Sequence, residues 1–223
     1  MKPEELSPRG DITGNTYTDL GADTAEGYAI STRSRAIAKE MVGDSTPEDR
    51  VRQRCSVAVG DFEMAALLRF VHDPVSAGVL ALRNMAPIIT DIRMVEVGIQ
   101  KKGHESPIIC ALDHAADWKP GSGRITRTSA GLLALSGRLD GAVVVIGNAP
   151  SALLVLCRLI REQGIRPALV IGSPVGFVNA AESKEELRGT AIPSISTEGT
   201  RGGTPVAVAA MNEIITIHAE QQA

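Results

Sequence analysis

Two short apolar runs, each closed by glycine and followed by a loop and a helix start, constrain this chain more than anything else in it. Gly141-Ala142-Val143-Val144-Val145-Ile146-Gly147 leads into Asn148-Ala149-Pro150-Ser151-Ala152-Leu153. Ala168-Leu169-Val170-Ile171-Gly172 leads through small residues to the polar helix start Glu182-Ser183-Lys184-Glu185-Glu186. Neither run alternates apolar with polar residues, so each reads as a strand covered on both faces, as in a parallel sheet. In open α/β sheets, ligands bind at the carboxyl ends of such strands. The two runs are therefore expected to be adjacent or near-adjacent inner strands.

The rest of the chain alternates in the same way. Helical patterns cover Thr24 to Val42, Val51 to Cys55 after the Ser45-Thr46-Pro47-Glu48-Asp49 start, Phe62 to Phe70, Val75 to Met85 and Met94 to Gln100. Others cover Ser129 to Arg138, Ser151 to Gly164 and Thr204 to Ala219. Short strands are expected at Pro87 to Thr90 and Ile108 to Leu112, and an edge strand at Ile192 to Ile195 because proline fits poorly inside a sheet. Ser56 to Gly60 reads as a turn. With helices between strands, no internal repeat and no long linker, the fold class is a three-layer α/β/α domain with a mostly parallel sheet. Residues 1–23, with Pro3, Pro8, Gly10 and Gly14, read as a loose N-terminal arm docked on a partner subunit; residues 24–223 read as a single domain.

Composition limits the function classes. Aromatic residues make up only 3% of the chain against 43% hydrophobic residues, so the core is built from Ala, Val, Leu and Ile. A formal net charge of −3 argues against nucleic-acid binding through a basic surface. Cys55, Cys110 and Cys157 are far apart and form no CxxC pair, which points to buried thiols in a reducing compartment rather than a disulfide or zinc site. Residues 1–27 have no apolar signal-peptide core, and no apolar run reaches the ~18 residues of a membrane span. A cytoplasmic location without a membrane partner is expected. A GxGxxG fingerprint is absent, so NAD binding has little support.

Four segments carry a more specific signal. They are Gly147-Asn148-Ala149-Pro150-Ser151-Ala152-Leu153, Pro174-Val175-Gly176-Phe177-Val178-Asn179-Ala180-Ala181-Glu182-Ser183-Lys184, Thr90-Asp91-Ile92-Arg93-Met94-Val95 with Gly98-Ile99, and Arg201-Gly202-Gly203-Thr204. In these the chain resembles the precorrin-8X methylmutase family, over roughly residues 27 to 215. The resemblance implies a flavodoxin-like sheet, a homodimer with its sites near the subunit contact, and no cofactor or metal. It implies an isomerase of cobalamin biosynthesis that moves a methyl group on a corrin precursor, precorrin-8X to hydrogenobyrinate or the cobalt equivalent. The ligand would be a large tetrapyrrole acid rimmed with carboxylates, which calls for cationic donors, backbone N–H groups and an apolar floor.

Carried over by position, the resemblance implies substrate contacts at Ser34, Arg54 and Arg127. Asn148 and Ser151 follow a strand at a helix start whose N–H groups would favour an anion, although Ser151 also suits plain capping. Lys184 is a candidate for a substrate carboxylate or for a neighbouring glutamate. One departure stands out in Arg54-Cys55-Ser56-Val57-Ala58-Val59-Gly60-Asp61: the position that the resemblance assigns to a catalytic histidine is Val57, which cannot exchange a proton. His72, His104, His114 and His218 all lie outside that motif. Three readings follow. The chain is a methylmutase, or a catalytically impaired relative that binds or delivers a corrinoid, or a flavodoxin-like protein for an unrelated phosphate or carboxylate.

Overall fold

A computed structural model describes residues 24–116, 118, 119 and 125–222; the N-terminal arm expected over residues 1–23 lies outside them. Six strands form one sheet: β1 (Leu68–Val71), β2 (Ile88–Thr90), β3 (Ile108–Cys110), β4 (Val143–Ile146), β5 (Leu169–Gly172) and β6 (Ser194–Thr197). Their spatial order is β1-β6-β5-β4-β2-β3, with every pair parallel except β1 against β6. Numbered along the chain, the five parallel strands lie in the order 2-1-3-4-5, the flavodoxin-like arrangement, which reverses between β2 and β4.

The expected pairing of the two apolar runs is found: Val143, Val144, Val145 and Ile146 face Leu169, Val170, Ile171 and Gly172. Their side chains feed two cores. Val143, Val145, Leu169 and Ile171 join one cluster with α2 (Pro47–Val59), α4 (Pro74–Arg83), α5 (Arg93–Gly98) and α9 (Thr204–Glu220). Val144, Ile146 and Val170 join the other with α6 (Arg127–Ala134), α7 (Pro150–Gln163) and α8 (Ala180–Arg188). A strand residue buried on either face removes its side chain from water, at roughly 1.5–3 kcal/mol each, so alternation has no place in these runs. That is the physical reason for a three-layer fold with helices on both faces.

Three expectations are corrected. The helix expected from Phe62 to Phe70 stops at Leu67 as α3 (Glu63–Leu67), and Leu68–Val71 becomes β1. There the backbone finds antiparallel partners, Leu68 with Thr197 and Val71 with Ser194, and this tertiary pairing overrides local propensity. The strand expected at the edge near Ile192–Ile195 is shifted to Ser194–Thr197 and lies inside the sheet between β1 and β5. Pro193 stands just before it and supplies only its carbonyl, which accepts from Val170 N–H at 2.9 Å, so its missing donor is not needed. The turn expected at Ser56–Gly60 is the end of α2 itself, which runs to Val59 and stops where Gly60 takes a left-handed φ of 66°.

Helix α1 (Ala25–Val42) is an outlier in this architecture. Thr24 caps it by accepting from Gly27 N–H at 3.1 Å, but among its residues only Ala38 is buried. It packs on α2, with Tyr28, Ile30, Ile37 and Met41 exposed.

Candidate functional site

The site grows from the three helices at this end of the molecule. Helix α2 is set firmly at its start: Thr46 and Asp49 form a capping box, with Pro47 in the first turn. Burial works against the charge of Asp49, but bonds from Thr46, Ser45 and the Thr46 backbone outweigh it and hold the carboxyl below its usual range. This fixed helix presents Arg50, Gln53, Arg54, Val57 and Ala58 on one side, towards α1 and the start of α9. Between them lies a cavity of about 450 Å³. Ile30, Ser31, Ser34 and Arg35 close it from α1, and Pro205, Val208, Ala209 and Asn212 from α9.

Ser34, Arg54 and the motif position Val57 therefore share one cavity. Val57 projects from the last turn of α2 and is half-exposed there. None of the four histidines lines this cavity. His104 is tied to the Gln100 carbonyl at 2.9 Å and to Ser106 N–H at 3.1 Å, and His218 is buried. Burial, with Arg83 and His104 nearby, pushes the His218 imidazole below its usual pKa.

Behind the cavity wall is a carboxylate that sequence reasoning missed. Glu213 receives Arg35 at 3.3 Å, Arg50 at 2.8 Å and Arg54 at 3.2 Å. Arg54 also donates to Thr216 Oγ1 at 3.2 Å, and Arg50 to Glu220 at 2.6 Å. Burial disfavours the charge on Arg50, but Glu220 and Glu213 outweigh it and keep its pKa raised. The available signal was an acid within the largely apolar helix around Ala209-Ala210-Met211 and Ile214-Ile215, together with two arginines one helical turn apart.

The other candidates lie elsewhere. Arg127 is the first residue of α6 and lines a second cavity of about 400 Å³ with Leu112, Asp113, Ala115, Ala116 and Trp118. The two cavities share no lining residue. Ser151 sits in the first turn of α7, its hydroxyl 2.9 Å from that of Thr126, the residue that caps α6. Asn148 is exposed, and the backbone N–H groups just before α7 meet an acid of the chain itself. Asp91, buried after β2, accepts from Gly147 at 3.2 Å, Asn148 at 2.8 Å, Ala149 at 2.9 Å and Ile92 at 3.0 Å. Burial raises the Asp91 pKa while these N–H donors pull it down.

Lys184 is likewise turned inward and meets neither a substrate-facing cavity nor a glutamate. Its ammonium donates to Thr197 Oγ1 at 3.0 Å and to the Arg201 carbonyl at 2.8 Å. Burial, followed by the charge of Arg188, pushes it down to about 8. The anchored loop needs its glycine: Gly202 has φ 154°, and a Cβ there would meet the Ser173 carbonyl at 2.3 Å. Arg201 itself pairs with Asp61 and, at 3.1 Å, with Glu63, tying this loop to the end of α2. Among the described residues no group of three or more His, Cys, Asp or Glu is placed to hold a metal ion.

Comparison with known proteins places this geometry in one family. The sequence model for precorrin-8X methylmutase matches residues 29–217. The chain is 38% identical over 214 residues to the cobalt-precorrin-8 methylmutase of Methanocaldococcus jannaschii, covering 92% of this chain and 100% of that protein. It is 40% identical to the cobalt-precorrin-8 methylmutase of Priestia megaterium, over 88% of this chain and 91% of the relative. The crystal structure of precorrin-8x methyl mutase from Thermus thermophilus superposes with a TM-score of 0.79 at 36% identity, covering 86% of this chain and 97% of that one. The chain belongs to the precorrin-8X methylmutase family.

Proposed function

We propose that the protein is an isomerase that moves a methyl group on a corrin precursor, precorrin-8X or its cobalt form. The observation that carries this reading is the match to methylmutases along nearly the whole chain. The geometry supports it. The cavity between α1, α2 and α9 joins guanidinium groups with the apolar surfaces of Ile30, Val57, Ala58 and Val208. Such a wall suits a flat ring edged with carboxylates: Arg54 and Ser34 meet the acids, and the apolar side carries the macrocycle.

In the reaction a carbon–methyl bond breaks at one ring atom and another forms at a second, so atoms and charge balance within the substrate. The protein's part is to hold the ring in a reactive geometry, exclude water and stabilise the charge that develops as the methyl moves. At Val57 no proton can be exchanged, so turnover rests on positioning and on the arginine field. The test is to mix the full chain with the precursor and follow the visible spectrum and the mass together. A changed spectrum at unchanged mass is isomerisation. An immediate spectral shift that goes no further is binding alone, and no shift sinks the corrinoid assignment.

Val57 favours a second reading, in which the protein binds or delivers the corrinoid with little turnover. A further element of the proposal is a homodimer whose contact lies near the site. Arg127 lies in a different cavity from Ser34 and Arg54, and α1 leaves Tyr28, Ile37 and Met41 exposed away from the cavity lining. A two-fold contact would place these surfaces on both copies. Sedimentation giving only monomer at micromolar concentration would count against it. We place the protein in the cytoplasm, where the buried thiols of Cys55, Cys110 and Cys157 stay reduced; no described helix is long and apolar enough to cross a membrane.

A further inference from the structure

Between β5 and α8 the chain turns three apolar side chains to water. Val175, Phe177 and Val178 are all exposed, and Phe177 is 94% exposed. A single exposed apolar residue needs no explanation, but three within four positions form a patch that does. The loop that carries them is held at several points. Gly176 N–H donates to the Thr200 carbonyl at 3.1 Å, and Ser183 N–H donates to the Asn179 carbonyl at 3.0 Å where α8 begins. Asn179 takes a left-handed φ of 61°, a conformation that asparagine tolerates better than most residues. Phe177 is thus presented to solvent from a backbone that is already ordered, which lowers the cost of any contact it makes.

The loop adjoins the cavity between α1, α2 and α9. Val175 Cγ1 and Pro205 Cδ each lie 3.6 Å from the point where a Cβ on Gly203 would sit. Pro205 lines the cavity, as do Ile30, Val57 and Ala58. The apolar surface therefore runs on from the cavity, past Pro205, to Val175. Phe177 is two residues further along, its Cα within about 7–8 Å of that of Val175 by chain geometry alone.

Size gives this surface a use. The cavity holds about 450 Å³. Drug-sized ligands already take pockets of roughly 300–1,000 Å³, and a corrin with its acid chains is larger than those ligands. A ring seated with one edge in the cavity keeps part of an apolar face outside it.

We propose that Phe177, flanked by Val175 and Val178, is a ledge on which the part of the macrocycle outside the cavity rests, the aromatic ring against the corrin face. The inference rests on the corrinoid reading for the identity of the ligand. It adds a specificity: the ledge recognises the breadth of a tetrapyrrole face, which a small carboxylic acid does not offer. The rival occupant is a second copy of the chain, and continuity with the cavity favours the ligand.

The test is a substitution series at Phe177 in the full chain, with hydrogenobyrinate titrated spectrally. Phe177→Ala should weaken binding about tenfold, the worth of one aromatic side chain removed from water, and Phe177→Leu roughly threefold. Phe177→Tyr, which keeps the ring, should bind nearly as the natural protein does. Because Phe177 is almost wholly exposed in the free chain, its urea midpoint should not move in any of the three. Unchanged affinity in Phe177→Ala would overturn the proposal. So would a shift of Phe177→Ala towards monomer in sedimentation, which would give the loop to the second copy.

Failure of the corrinoid reading has its own signature. If the natural protein binds no hydrogenobyrinate, that reading falls, and uroporphyrin I, a tetrapyrrole with acids all round its rim, becomes the probe. Weaker uroporphyrin binding by Phe177→Ala than by the natural protein supports the ledge. Equal binding, or none by either protein, overturns it.

Discussion

The carboxyl edge of the sheet and the cavity beneath α1 are both rich in polar groups, yet they spend them in opposite directions. At the sheet edge, where the strand order reverses between β2 and β4, a flavodoxin-like fold offers its usual ligand crevice. Here Asp91 takes the N–H groups of Gly147, Asn148 and Ala149. Lys184 is consumed in the same way by Thr197 and Arg201. At the cavity, by contrast, Arg35, Arg50 and Arg54 are gathered in the wall around the buried Glu213. One region uses polar groups to hold loops; the other is where we propose that the ligand is met. Substitutions at the edge should therefore register in stability, and substitutions at the cavity in affinity and rate.

The largest effect should come from Val57. General acid–base groups typically contribute 10²–10⁴-fold in rate. Val57→His should raise single-turnover isomerisation of the precursor, by up to that range if the imidazole adopts a productive rotamer above Ala58. Precursor affinity should change far less. Fast turnover by the natural protein, unimproved by Val57→His, would show that a proton carrier at this position is not needed.

Next comes Asp91. Asp91→Ala leaves buried N–H groups of Gly147 and Ala149 without their acceptor, and each costs about 1–3 kcal/mol. A loss of at least about 2 kcal/mol is expected in urea unfolding, with ligand affinity of the remaining folded protein nearly intact. An affinity loss without a stability loss would reverse the comparison and restore the sheet edge as a ligand site. Arg54→Ala is the counterpart at the cavity. It should weaken hydrogenobyrinate about tenfold to a hundredfold, the worth of one charge-assisted bond. Unchanged affinity in a spectral titration would remove Arg54 from the site.

How much of this was legible in the chain follows the same division. The two inner strands announced themselves because Val143–Ile146 and Leu169–Gly172 are buried on both faces and need no tertiary information to be read. Strand β1 was hidden because Leu68-Arg69-Phe70-Val71 is extended only through its pairing with β6, a partner more than a hundred residues away. The motif positions Ser34, Arg54 and Val57 were readable by family pattern, and they share a cavity. Glu213 was not, because its surroundings depend on α9 packing against α2 and on Arg35 reaching across from α1, which no local pattern expresses. The bonds of Asp91 to the Asn148 loop were hidden for a related reason: N–H groups before a helix start look the same in sequence whatever acceptor meets them.

The smallest effect should be at Lys184, and its pH dependence has a definite sign. Burial lowers its pKa from 10.5 to about 8, so the folded protein gives up this proton more readily than the unfolded chain does. Below about 8 the residue is charged in both states, and the fold carries the full cost of a buried ammonium. Between about 8 and 10.5 the unfolded chain binds more protons than the folded one, so stability from this group rises with pH. Lys184→Met removes that dependence and two hydrogen bonds. The Arg201 carbonyl still accepts from Thr197 Oγ1, so the substitution should cost only about 1 kcal/mol at neutral pH. Denaturation midpoints taken across this pH window should show the natural protein gaining on the variant as pH rises. A constant difference would mean that the lysine stays charged throughout, held by Thr197 and Arg201 more strongly than burial penalises it.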